Sequence, residues 1–230
     1  MRMRMRSFIF TITFTLLCST PMLAETKILP PPDLSEAQKL IFFKDHLQGV
    51  SKGSQINYQF TSKTDKEGFQ DEIVIRVTNI VSKGKRDLEF DFLSGENHID
   101  FSPAMSYTGN PVIIHFLERD ISLMSKDTGG WNGYFRNKIR NSFRKPAHMD
   151  EVTFEFEGKK VKGTEIVITP FLGDPNARNF KLYANKRYEF LFSDKIPGGI
   201  YRIRTQVPNE NGKQPLIDED MKFKQITPGA

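Results

Sequence analysis

The fold this 230-residue chain predicts is α+β: one curved antiparallel sheet of about nine strands, half-barrel-like, with an N-terminal helix and two inserted helices on its concave side. Three observations predict it. Apolar and polar residues alternate over most of the chain, which is the period of a strand with one buried face. The connections between these runs are roughly two to six residues, too short for parallel crossovers. The 20 Phe sit mainly on the alternating positions that share one side. A twisted sheet of that size curls, and its apolar concave side then needs a helical cover.

The chain opens with Arg2, Arg4 and Arg6, an almost uncharged run from Phe8 to Leu17, and Pro21-Met-Leu-Ala24 before Glu25. A basic start, about ten apolar residues where a permanent span needs roughly 20, and a small residue before an acidic one make a cleavable export signal, cut after Ala24. Residues 1–24 are therefore expected to be a signal peptide, 25–34 a Pro-rich extended leader, 35–207 a single α+β domain, and 208–230 a polar C-terminal tail. The expected location is the periplasm, with secretion as the alternative. Cys18, the only cysteine, lies where a lipid-attachment cysteine would lie, but Leu17 before it is larger than the small residue such processing wants. Once Cys18 leaves with the signal, no thiol or disulfide remains and the core alone must stabilise the fold. The three arginines leave with it, so the net charge falls from +5 to +2, which excludes a globally basic nucleic-acid binder.

Structure is expected from Ser35, where Ser-Glu-Ala-Gln38 has the capping-box form and Ala37, Leu40, Ile41, Lys44 and Leu47 keep helical spacing up to Gly49, giving a helix over 35–48. Strands follow on Ile56-Tyr58-Phe60, on Ile73-Ile75-Val77 and on Leu88-Phe90-Phe92, with turns at Asp65–Gly68 and Lys83–Lys85, and a short strand is expected around His98–Phe101. Asn110-Pro111 then starts a second helix over 111–126 with Ile113, Ile114, Leu117, Ile121 and Met124 as its apolar stripe. Beyond Gly129-Gly130, Phe135, Ile139 and Phe143 mark a third helix that stops at Pro146. Strand signals resume at 152–156, 161–169, 180–183, 186–193 and 200–207, and the tail offers at most one edge strand near Met221–Ile226.

Over most of residues 35–207 this order of elements resembles that of the periplasmic lipoprotein carrier and outer-membrane receptor proteins of the Lol system, half-open barrels with helices plugging the mouth. The resemblance lies in order and spacing, with no motif, so no functional residue is carried over. It implies an exported carrier or sensor that binds acyl chains or another apolar moiety.

The residues themselves offer four candidate features. An incompletely filled concave side would be an apolar ligand cavity lined by Tyr58, Phe60, Phe90, Phe92, Tyr188, Phe190, Phe192 and Tyr201; a filled α+β core accounts for the same rings without a ligand. The third helix carries Arg136, Arg140 and Arg144 at four-residue spacing, with Lys138 and Lys145 nearby, a stripe suited to an anionic membrane surface or an acidic envelope protein. Carboxylates such as Glu118 and Asp120 are the structural alternative partners for that stripe. Trp131, in the Gly-rich loop between the two inserted helices, is a candidate contact or a packing staple. Glu89 and Asp91, two apart on one strand face, read as solvated surface.

Catalysis and metal binding have little support. The histidines 46, 98, 115 and 148 are scattered, His115 and Glu118 are the one pair at ligand spacing, and no nucleophile elbow or mature cysteine is present. No metal or cofactor is expected. The expectation is a non-enzymatic binding protein; a docking module with a filled core and an uncatalogued hydrolase are the alternatives.

Overall fold

The structure is a computed structural model, and it describes residues 33–230 apart from positions 66, 145, 146, 210, 213 and 230. The expected signal peptide, Cys18 and nearly all of the leader lie outside the described residues, as does Lys145. The strands are β1 (Gln55–Thr64), β2 (Gly68–Ser82), β3 (Lys85–Phe92), β4 (Ala104–Tyr107), β5 (His148–Phe156), β6 (Lys159–Ile168), β7 (Arg187–Phe192), β8 (Ile200–Val207) and β9 (Ile217–Thr227). They form one antiparallel, curved and unclosed sheet in the order β4-β3-β2-β1-β9-β8-β7-β6-β5. Two meanders, β1 to β4 and β5 to β9, are thus joined by the pairing of β1 with β9.

Alternation assigns the two faces. Ile56, Tyr58 and Phe60 of β1, Ile73, Ile75 and Val77 of β2, Tyr188, Phe190 and Phe192 of β7 and Met221 and Phe223 of β9 are buried on the concave side. The outward residues between them pair by charge across strands: Arg202 with Asp220 and Arg204 with Asp218, each through two bonds of 2.6–2.7 Å. Cross-strand pairs of this kind fix register more than they add stability.

Helices α2 (Val112–Thr128) and α3 (Asn132–Ser142) carry the chain from the β4 edge to the β5 edge, across the concave face. The Asn110 side chain caps the start of α2 at the Val112 N–H, and Gly129, at φ +68°, ends it in the left-handed conformation that glycine adopts without penalty. α2 presses Phe116 onto Phe60, and α3 presses Phe143 onto Phe190 and Phe135 onto Phe171. Each buried ring of this kind contributes about 1.5–3 kcal/mol of transfer free energy.

Several elements depart from expectation. The first helix is shorter than 35–48: Glu36–Gln38 (α1) continues as a π-helical stretch, Lys39–Phe43, and the backbone turns extended at Lys44. The capping box of Ser35 and Gln38 forms as expected. Beyond it the chain is pulled out of the helix because Leu47 and Val50 bury into the core and Asp45 bonds Arg86. Residues His98–Phe101 make only an isolated bridge, Phe92 to Ile99, and the edge strand is β4 instead. Residues 180–183 are not a strand; Phe180 and Tyr183 bury from successive turns while Leu182 faces out. The ninth strand is supplied by the tail. β9 lies at the centre of the sheet, not at an edge, paired on both sides by β1 and β8.

Candidate functional site

The rings expected to line an apolar cavity gather on the concave face, and the helices close over them. Tyr58, Phe60, Phe92, Tyr188, Phe190 and Phe192 are each 0–2% exposed. Phe90 is half-buried, its ring edge-on to His115 at 4.5 Å. Tyr201 leaves this row. A bulge sets Ile200 opposite Phe192, and Tyr201 stacks instead on Phe154 of β5 at 4.3 Å. His115, noted with Glu118 as the one pair at ligand spacing, stacks on Phe101 at 4.0 Å while Glu118 holds Arg136 through two bonds of 2.6 and 2.5 Å. Burial pushes the His115 imidazole down to about 4. Among the described residues no group of three or more His, Cys, Asp and Glu comes together as metal ligands would.

Titratable groups do converge beneath α2, in a place the sequence reading did not anticipate. Asp120 accepts bonds from Lys186 and, at 2.6 Å, from the Tyr188 hydroxyl; all three are buried. One helical position earlier, Arg119 bonds Glu219 at 2.8 Å and lies over the Phe60 ring, and Ser62 donates to the same carboxylate. Burial, with Asp120 beside it, raises the Tyr188 hydroxyl well above its ordinary range and so holds it as a neutral donor. These groups are sealed from solvent and bind α2 to the sheet. Their signal in the sequence is faint because Lys186 and Glu219 read as strand-end and tail polarity.

The face of α3 turned to solvent holds the expected cationic stripe in part. Arg136 is tied to Glu118, the structural alternative weighed from the sequence, and Lys138 to Asp174 at 2.6 Å. Arg140 is exposed and, among the described residues, bonds the Asn137 side-chain oxygen at 2.9 Å. Arg144, also exposed, lines a cleft with Leu172, which is 68% exposed. Trp131 precedes α3, and a Cβ on Gly133 would lie 2.3 Å from its ring, so the glycine makes room for the indole to lie along the helix start. The indole is nonetheless 74% exposed. It both packs and presents a free face.

A second concavity, of about 710 Å³, opens between the N-terminal helical segment, the β7–β8 loop and the outer flank of β6. The β5–β6 hairpin turns on Glu157 and Gly158, both at positive φ, and runs well past the end of β7, which pairs only from Thr164 onward. Its free half folds back so that Phe154 and Phe156 meet Tyr201 and Phe223. Gly163 permits that approach, since a Cβ there would lie 2.6 Å from the Phe192 carbonyl oxygen. The gap so left has Leu40, Phe156, Val161 and Phe192 among its lining and five lysines about it. The run Lys159-Lys-Val-Lys162 was the sequence signal that could have pointed there.

No family model matches the chain, and no curated protein matches it in sequence. Solved structures similar to it include the MucA/MucB complex of Pseudomonas aeruginosa, at 15% identity over 85% of this chain and 58% of that one, with a TM-score of 0.33. LppX, a lipoprotein of Mycobacterium tuberculosis, matches over 78% of this chain and 88% of its own at 8% identity and a TM-score of 0.31. A LolA superfamily protein of Nitrosomonas europaea matches over 86% and 95% at 7% identity and a TM-score of 0.24. The chain spans little more than half the length of the MucB chain it matches.

Proposed function

We propose that this chain is an exported, non-catalytic binding protein of the periplasm that docks on an anionic envelope surface through α3 and Trp131. The observation that carries the reading is the pairing, at one helix, of a 74%-exposed indole with two exposed arginines, Arg140 and Arg144, that form no ion pair with a carboxylate among the described residues. Exposed aromatic and cationic groups side by side suit the headgroup layer of an anionic membrane, where each cation near the surface contributes about 1 kcal/mol. Trp131 is the only tryptophan, so its fluorescence reports on this contact alone.

The test is titration with vesicles of phosphatidylglycerol in phosphatidylcholine, against phosphatidylcholine alone. Binding to the anionic vesicles with a blue shift of Trp131 emission, weakened at least about tenfold by Arg140→Glu with Arg144→Glu, is the expected result. Equal binding by the variant, or an unmoved emission, sinks the membrane contact.

The second reading is an apolar, lipid-like ligand held on the concave face by the seven expected rings that gather there, Tyr201 excepted. The observation that favours it is the polar grip of α2 on that face, through Asp120 with Lys186 and Tyr188 and through Arg119 with Glu219. Bonds of this kind can be exchanged for bonds to water when a cover lifts. Native mass spectrometry of the exported protein, with and without solvent extraction, tests it. A reproducible co-purified apolar molecule supports the reading, and a clean mass after incubation with lipid counts against it.

A further inference from the structure

The 710 Å³ cleft beside β6 differs in kind from both of these surfaces. Its volume falls in the range of small-molecule sites, about 300–1,000 Å³. Leu40, Phe156, Val161 and Phe192 give it apolar surface, and Phe192 is held from behind by the stacked ring of His46 at 5.5 Å. Lysines stand on both walls: Lys159, Lys160 and Lys162 on β6, Lys44 and Lys195 opposite. Three carboxylates share the rim. Asp194 is already bonded to Lys44 at 2.6 Å, which leaves Glu151 and Glu157 against four ammonium groups. The outer flank of β6 from Lys159 to Gly163 has no strand beside it, so main-chain groups lie along the same wall.

We infer that this cleft binds a single-chain amphiphile with an anionic head, the chain lying against Leu40, Val161 and Phe192 and the head held by the β6 lysines. The charge surplus selects the anion, and the apolar lining selects its tail. A free inorganic anion would leave the apolar surface unused, and a neutral lipid would leave the lysines facing one another. The site shares Phe192 with the edge of the concave row but no residue with α3, so it stands or falls independently of the proposed docking surface.

The experiment is calorimetric titration of the folded protein with palmitate and with hexadecyl phosphate, and with hexadecanol as the neutral control. Saturable one-to-one binding of an acidic amphiphile, absent for hexadecanol, is expected, and the tighter of the two acids identifies the head. Lys160→Glu with Lys162→Glu, both exposed positions, should weaken it at least about tenfold. Val161→Trp, which fills the cleft without touching its charge, should do the same, with circular dichroism confirming the fold. Arg140→Glu with Arg144→Glu should leave palmitate binding unchanged. Equal affinity in wild type and in both cleft variants, or no saturable binding at all, overturns the assignment.

Discussion

Acid should destabilise this fold in a specific window, and the share that His46 contributes can be worked from its surroundings. Its imidazole is 5% exposed, stacks on Phe192, and has no well-formed hydrogen bond at either ring nitrogen among the described residues, only a weak approach to the Leu40 backbone. Burial therefore pushes it down to about 4, with Lys44 adding to the shift and the Leu40 backbone, Asp45 and Asp194 opposing it. An unfolded histidine titrates near 6.5. Between those values the unfolded chain binds the proton and the folded one does not, so stability is full above the unfolded value and falls as the pH drops toward 4. The linkage relation gives a loss of about 2 kcal/mol between pH 7 and pH 5, rising to about 3.4 kcal/mol below pH 4. Urea unfolding of wild type and His46→Gln at pH 7 and pH 5 measures it, because every other titrating group is common to both chains. The drop in unfolding free energy should be about 2 kcal/mol smaller in the variant. Equal drops would refute the claim that this buried imidazole stays neutral in the fold.

Three further outcomes follow from the packing. Lys186→Met leaves Asp120 buried beside Tyr188 without its cation and should cost about 3–5 kcal/mol, whereas Lys186→Met with Asp120→Leu should recover most of that; additive losses in urea melts would show that the two do not act as a pair. Gly163→Val places a side chain 2.6 Å from the Phe192 carbonyl and should destabilise by about 1–3 kcal/mol, read from the thermal midpoint; an unshifted midpoint would mean that the β6 flank is not packed as described. Truncation after Pro208 removes β9 from between β1 and β8 and should abolish cooperative unfolding, seen as loss of a sigmoidal near-ultraviolet signal on heating; a truncated chain that still melts cooperatively would contradict the central placement of that strand.

The sheet and its cover were legible in the sequence because one-sided alternation is a direct record of burial. Tyr58, Phe60, Tyr188 and Phe190 could be assigned to one face from spacing alone, and the stripes of α2 and α3 likewise. β9 was misread as tail because its inward row is interrupted by Glu219, whose carboxylate is satisfied by Arg119 and Ser62 from distant parts of the chain. The outward row, Asp218 and Asp220, is neutralised by Arg204 and Arg202, and nothing local shows that. The arginine stripe was visible, but which of its members is already spoken for is a tertiary fact: Glu118 takes Arg136 and leaves Arg140. Tyr201 was misplaced by one bulge, which reverses facing without changing composition.

The join between β1 and β9 has a consequence for how the molecule comes into being. The two strands that hold the meanders together stand at opposite ends of the domain, so the central seam cannot form until the last of them is available. Closing so long a loop is slow compared with forming any hairpin along the way, and the pairing it completes is among the least local in the chain. For a protein proposed to be exported, a late seam is useful. A chain exported in this way would stay threadable while crossing a membrane and would commit to its final shape only once its C-terminal strand had arrived on the far side.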